Sequence, residues 1–181
     1  MASIYCAIFN LLANAFCYPT VKNTSDKFFC AIKALAEDLG YNINESPELE
    51  LLRYDYTRLF INNSSEEIAP LYASFYCTED NLLMQHSRDE AKDFYQKAGL
   101  EPKFANEPED FLPTELYFIS ELLKKGNSQQ LAGFLRHING WFPLFKKRLQ
   151  ALNPHPYYHI LSEITLVILT NLYQEVINEK T

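Results

Sequence analysis

Apolar residues recur at intervals of three and four along most of the chain, the spacing that lines one face of an α-helix. Ile4, Ile8, Leu11, Leu12 and Ala15 form the first stripe. Phe28, Ile32, Leu35, Ala36 and Leu39 form the second, with Ser25 as its predicted N-cap and Gly40 as its stop. Ser46-Pro47-Glu48 predicts a third start, because serine can cap, proline loses nothing in the first turn and an acid favours the positive helix end. Leu49, Leu52, Tyr56, Leu59 and Phe60 follow in register. Asn62-Asn63-Ser64-Ser65 reads as a polar loop, and Pro70 opens a short aromatic segment with no assignable period.

Ser87-Arg88-Asp89-Glu90 matches a capping box ahead of Ala91, Phe94, Tyr95 and Ala98, and Gly99 ends that pattern. Pro102 to Pro113 holds three prolines and three acids, so it reads as an ordered connector and a candidate hinge near residues 102–113. Leu112, Leu116, Ile119 and Leu123 resume the helical period up to Gly126. Leu131, Leu135 and Ile138 begin a run that Pro143 is expected to kink or end, which predicts two helices between Ser128 and Ala151. After Pro154-His155-Pro156, a last helix carries Leu161, Ile164, Ile168, Leu172 and Val176 on one side and Ile160, Val167 and Leu169 on others, the mark of a helix through a core. The expectation is an all-α fold, a single compact helical domain over residues 1–181 with about eight to ten helices.

Composition supports that outline: 48% apolar residues over 181 positions can build one core without metal or disulfides, and 5 glycines are too few to punctuate many short strands. The net charge is -7 and the longest basic run is Lys146-Lys147-Arg148, so nothing here grips a phosphate backbone and nucleic acid is not an expected partner. Cys6, Cys17, Cys30 and Cys77 form no CxxC pair and are expected as buried thiols in a reducing compartment. The apolar stretch Met1 to Cys17 lacks the basic start and small-residue end of an export signal and reads as a core helix. The run from Ile164 to Leu172 falls short of the roughly 20 residues of a bilayer span, so no stable membrane insertion is expected.

Motifs that would place a phosphate, a nucleophile or a zinc ion are absent: there is no GxGxxG, P-loop, GxSxG or HExxH. His155 and His159 lack a third ligand, which favours helix-start or solvent-facing roles over a metal pair. His137, one turn before Trp141, is expected to be a packed or hydrogen-bonding histidine rather than a general base. No catalytic residue, cofactor or metal is assigned.

Three segments combine apolar bulk with polar groups where the helical pattern breaks: Tyr54 to Phe60 followed by Pro70 to Tyr76, Asn106 to Leu116, and His137 to Phe145. Singly, each fits simple core, an acidic helix start or a buried corner. In order and spacing, together with Pro156-Tyr157-Tyr158, they resemble the TorD/DmsD/NarJ family of redox-enzyme maturation chaperones, whose pattern has aromatic-x-x-Leu-Phe, then Pro-x-aromatic-x-Ser-x-aromatic, then Glu-Pro-x-Asp-His-Leu, and a His-x-x-x-Trp helix. The resemblance runs from about Leu51 to Tyr173.

That resemblance implies a TorD-like helical chaperone that is not an enzyme. In the cytoplasm it would bind the twin-arginine leader of a DMSO-reductase-type molybdoenzyme, or the apo form of that molybdopterin-containing subunit, until cofactor insertion is complete. It implies a leader-binding surface at Tyr56, Leu59, Phe60, Tyr72 and Tyr76 and at Glu107, Pro108, Asp110, Phe111 and Glu115. Rings would supply affinity, and a carboxylate such as Asp110 selectivity for the arginine pair. Phe111 stands where the family motif has histidine, so guanine-nucleotide binding attributed to some relatives does not carry over. Arg58 would repel a leader arginine unless paired, and is expected to pair with Asp55 or Glu115. Relatives exchange helices across the hinge, so both a monomer and a domain-swapped dimer fit. Two other readings are a general helical adaptor for mature protein surfaces and a metal- or nucleotide-dependent hydrolase using Asp110 and Glu115, whose spacing of five suits one helix face poorly.

Overall fold

A computed structural model describes residues 2–62, 67–77, 86–104 and 106–178, with the side chains of 86 and 87 left aside. Helices follow the apolar stripes: α1 (Ala2–Ala15), α2 (Asp26–Asp38), α3 (Leu49–Tyr56), α4 (Ser74–Cys77), α5 (His86–Ala98), α6 (Leu112–Lys125), α7 (Ser128–Ala151) and α8 (Pro156–Asn178). A π-helical turn, Thr57–Ile61, continues α3. The architecture is all-α, and the sole β-type pairing among the described residues is an antiparallel bridge between Tyr72 and Phe111. Past Asn62, the polar loop expected at 62–65 lies outside the described residues.

The stripes meet in one contiguous core. α1 lies along α6 and α7 along α8, while α2 packs on α8. Trp141, Tyr158, Phe9, Phe16, Phe134, Phe142 and Phe145 are fully buried at its centre. Gly40, Gly99 and Gly126 stop their helices as expected, each with a positive φ (82°, 61° and 65°) that side chains adopt at a cost.

Helix starts differ from expectation. Ser25 occupies the N-cap of α2, but its hydroxyl donates to the Lys22 carbonyl instead of accepting from the helix. α3 begins at Leu49 behind Glu48, leaving Ser46 outside, and the capping box expected at Ser87 rests on a side chain outside those described. A cap that does form is Asn127 at the start of α7, whose side chain accepts from Gln130 N at 3.1 Å. α7 is one helix and not two, with Pro143 in its interior. Phe142, Phe145 and Leu149 are fully buried around that proline. Burial of about 1.5–3 kcal/mol per side chain outweighs the ~3 kcal/mol of an interior proline.

Two further expectations change. α8 spans 23 residues and contains an 18-residue stretch of mean hydropathy 1.3, long and apolar enough by length and composition to cross a membrane, because apolar positions extend well beyond the run at 164–172. Ten of its residues, from Tyr157 to Val176, are buried in the core. Of the four thiols Cys6 is buried, Cys17 is partly so, and Cys30 and Cys77 are exposed.

The π-turn is anchored to the α7–α8 corner by Arg58. Its guanidinium pairs with Asp55, Nε to Oδ1 at 3.0 Å, and donates to the carbonyls of Leu152 at 2.9 Å and Asn153 at 3.2 Å. The other Asp55 oxygen accepts from His155 N at 2.8 Å. His155 Nδ1 accepts from Tyr157 N, so this histidine dresses the start of α8. Arg58 is thus neutralised by Asp55, one of the two expected partners. Asp55→Ala strands both the guanidinium and the His155 N–H, and is expected to cost about 2–4 kcal/mol in urea unfolding. Removing the exposed Glu50 that pairs with Arg53 should cost under about 0.5 kcal/mol.

Candidate functional site

Four stretches remote in sequence converge on an open cleft of about 430 Å³. Cys17 and Tyr18 enter from the end of α1, Tyr56, Phe60 and Ile61 from α3 and its π-turn, Leu71 and Tyr72 from the segment before α4, and Phe104, Glu107 and Phe111 from the connector. The π-turn closes with Asn62 N donating to the Thr57 carbonyl at 2.9 Å. The Leu59 carbonyl, an orphan at the helix end, accepts from Ala69 N at 2.7 Å and ties the next segment alongside.

That segment and the connector are clipped together. Leu112 N donates to the Leu71 carbonyl at 2.8 Å, Ala73 N donates to the Asp110 carbonyl at 3.1 Å, and the Asp110 carboxylate accepts from Ser74 N at 2.8 Å. The clip lays Tyr72 and Phe111 side by side, ring centroids 5.3 Å apart. The Tyr72 hydroxyl donates to Glu107 at 2.8 Å, and Arg88 holds Glu109 at 2.6 Å. Tyr56 and Phe60 pack edge to face at 4.9 Å, and Tyr18 meets Tyr56 at 5.4 Å.

Of the residues singled out in the sequence, Tyr56, Phe60, Tyr72, Glu107 and Phe111 line this cleft. The others do not. Leu59 is fully buried. Tyr76 stacks on Trp141 at 5.7 Å and donates to the Pro70 carbonyl. Pro108 turns the chain into α6, its carbonyl accepting from Phe111 N. Asp110 and Glu115 are sealed at 0% exposure, which removes them as direct partners of a ligand arginine and as a hydrolytic pair open to substrate. Asp110 faces inward because it serves the Ser74 backbone, Glu115 because it serves α7. Cys17, Tyr18, Ile61, Leu71 and Phe104 were not assigned to a site from the sequence; the exposure of Tyr18 at 45% and Ile61 at 56% is visible only after folding.

Two ionisable groups of the cleft are held protonated. Burial, reinforced by Glu107, raises the Cys17 thiol to about 11, so it stays protonated at neutral pH. Burial and the Glu107 hydrogen bond likewise hold Tyr72 above the usual phenol range. Among the described residues no group of three or more His, Cys, Asp or Glu could hold a metal ion.

Behind the cleft, Glu115 accepts from Trp141 Nε1 at 3.1 Å and meets His137 Nε2 at 3.0 Å, while His137 Nδ1 lies 3.5 Å from Glu90. Burial raises Glu115, against the lowering effect of His137. Burial lowers His137, but the Glu115 bond and charge, with Glu90, leave it above its ordinary 6.5. Both groups therefore hold a proton more firmly folded than unfolded. The stability His137 contributes is present below 6.5 and that of Glu115 below 4.5, and each is lost as pH rises through that group's folded value. The thermal midpoint is expected to fall between about pH 6 and 8, and His137→Gln to remove most of that difference, as read by differential scanning calorimetry.

The sequence profile of the nitrate reductase delta subunit family matches residues 24–147, from the end of the loop before α2 to most of α7. A search of curated proteins returns no match. A crystal structure from Archaeoglobus fulgidus, assigned as a redox enzyme maturation protein, superimposes with a TM-score of 0.65 at 26% identity, over 91% of this chain and 93% of that one. With the profile covering most of the cleft and the helical architecture shared nearly end to end, the chain belongs to the nitrate reductase delta subunit family, the TorD/NarJ type of redox-enzyme maturation chaperone.

Proposed function

We propose that this maturation chaperone works in the cytoplasm by receiving the twin-arginine leader of a molybdopterin-containing reductase subunit in the ring-lined cleft, holding the apo-subunit back until cofactor insertion. The observation that carries the reading is one accessible cleft in which apolar rings from the middle of the chain and the Glu107 carboxylate from the connector meet. A leader offers an apolar stretch next to a basic pair, and the cleft offers rings next to an acid. The residues assigned to the leader are Tyr56, Phe60, Tyr72, Glu107 and Phe111, with Tyr18, Ile61 and Phe104 added from the structure.

Magnitudes favour rings over charge for affinity. Each leucine or phenylalanine seated in the cleft contributes about 1.5–3 kcal/mol. Four such contacts at the upper figure supply about 12 kcal/mol, and against an association cost at the low end of ~4–15 kcal/mol they leave about 8 kcal/mol, which is micromolar binding. An exposed ion pair adds only about 0–1 kcal/mol.

Isothermal titration with a twin-arginine leader peptide tests this. Tyr18→Ser with Ile61→Ser removes two exposed apolar walls and is expected to weaken binding at least about tenfold, or about 1.4 kcal/mol, with the thermal midpoint held within a few degrees. Absence of heat with the parent protein sinks the leader reading, and undiminished affinity in the double variant moves the site elsewhere.

A further inference from the structure

With Asp110 and Glu115 sealed inside, Glu107 is the one acid lining the cleft among the described residues, and it already accepts from Tyr72. A single carboxylate attracts lysine and arginine alike, so a preference for arginine needs another source. A second pocket of about 240 Å³ opens beside the cleft, between the turn after α5 and the outer face of α6. Its walls are Tyr95, Leu100, Tyr117 and Phe118, and its carboxylates are Glu101 and Glu121. Phe104 is the partition: its ring lies 6.0 Å from Phe111 of the cleft and 5.8 Å from Tyr117 of the pocket. Three or four extended residues at ~3.3–3.6 Å each span such a distance.

This pocket already holds a cation of the chain itself. The Lys103 ammonium stands 4.2 Å over the Tyr117 ring. Lys124 is committed to Glu121 at 2.6 Å and Lys125 to the Ala98 carbonyl at 2.8 Å. The Tyr117 hydroxyl accepts from Asn14 at 2.6 Å, which fixes the ring. Lys103 and Phe104 thus place a basic and an aromatic side chain, adjacent in sequence, on the two neighbouring sites.

The geometry points to the Tyr117 pocket as a guanidinium subsite for a basic residue of the same bound peptide, with Lys103 as the internal cation that occupies it beforehand. The inference rests on the cleft being the peptide site. A planar guanidinium stacks on an aromatic face and forks toward carboxylates, whereas an ammonium does only part of this, so the ring supplies the arginine preference. Once Lys103 swings away, the carboxylates on the pocket wall are Glu101 and Glu121, the second of them paired with Lys124.

The test uses the full chain and three leader peptides identical but for Arg-Arg, Lys-Lys or Gln-Gln, titrated calorimetrically. The parent is expected to bind Arg-Arg about tenfold more tightly than Lys-Lys. Tyr117→Leu should bring that ratio to within about twofold and leave Gln-Gln unchanged. Because Tyr117→Leu also loses the Asn14 bond, Lys103→Gln at an exposed position is the second arm. It should tighten Arg-Arg binding about three- to tenfold without moving Gln-Gln, while Lys27→Gln on α2 should not change the Arg-Arg to Gln-Gln ratio. Binding of no peptide by the parent removes the cleft reading and this inference with it. Binding with an Arg-Arg preference that survives both Tyr117→Leu and Lys103→Gln overturns the subsite and leaves the cleft standing.

Discussion

The clip between residues 71–74 and 110–112 is the constraint on which the site depends. Two backbone hydrogen bonds and one carboxylate, all facing inward, join a segment too short to be a helix to the start of α6. Isolated pairing of this length is worth little, but here it is enclosed by the core, where an unmade hydrogen bond costs about 1–3 kcal/mol. The enclosure makes the geometry obligatory. It lays Tyr72 against Phe111 and brings Glu107 within reach of the Tyr72 hydroxyl. It also sets the rotation of α6, so that Glu115 points at His137 and Trp141 of α7.

From that constraint follows a division of labour among the acids. Asp110 and Glu115 act on the fold, one on a backbone amide and the other on an imidazole and an indole. Glu109 pins the connector to α5 through Arg88. Glu107 alone of this group lines the cleft. A motif rich in carboxylates thus yields one acidic group lining the cleft, the others being turned to the Ser74 amide, to His137 and Trp141, and to Arg88. The surface that remains is dominated by rings, suited to a partner that is apolar over most of its length and basic at one end.

Much of the fold was legible in the spacing of apolar residues. The helical stripes fell on helices, and Gly40, Gly99 and Gly126 stopped them, because local backbone preference and one-sided burial agree there. Where local and tertiary terms compete, the local reading gave way. Pro143 sits inside α7 since the aromatic residues around it gain more from burial than the proline costs. Ser25 and Ser46 offered capping chemistry that the folded chain does not use, the first turned back toward Lys22 and the second displaced from the cap position.

By itself the sequence determined the fold class, the places where most helices stop and the resemblance to maturation chaperones, all carried by periodicity and by motifs in order. Tertiary structure alone decided which motif residues face outward. A carboxylate in an acidic run and a tyrosine in an aromatic run look the same in sequence whether they meet solvent or core. Their burial is set by contacts with residues far along the chain, such as Ser74 for Asp110 and Trp141 for Tyr76. The cleft itself has no sequence signature, since it is the space left between four segments whose approach is fixed by packing elsewhere.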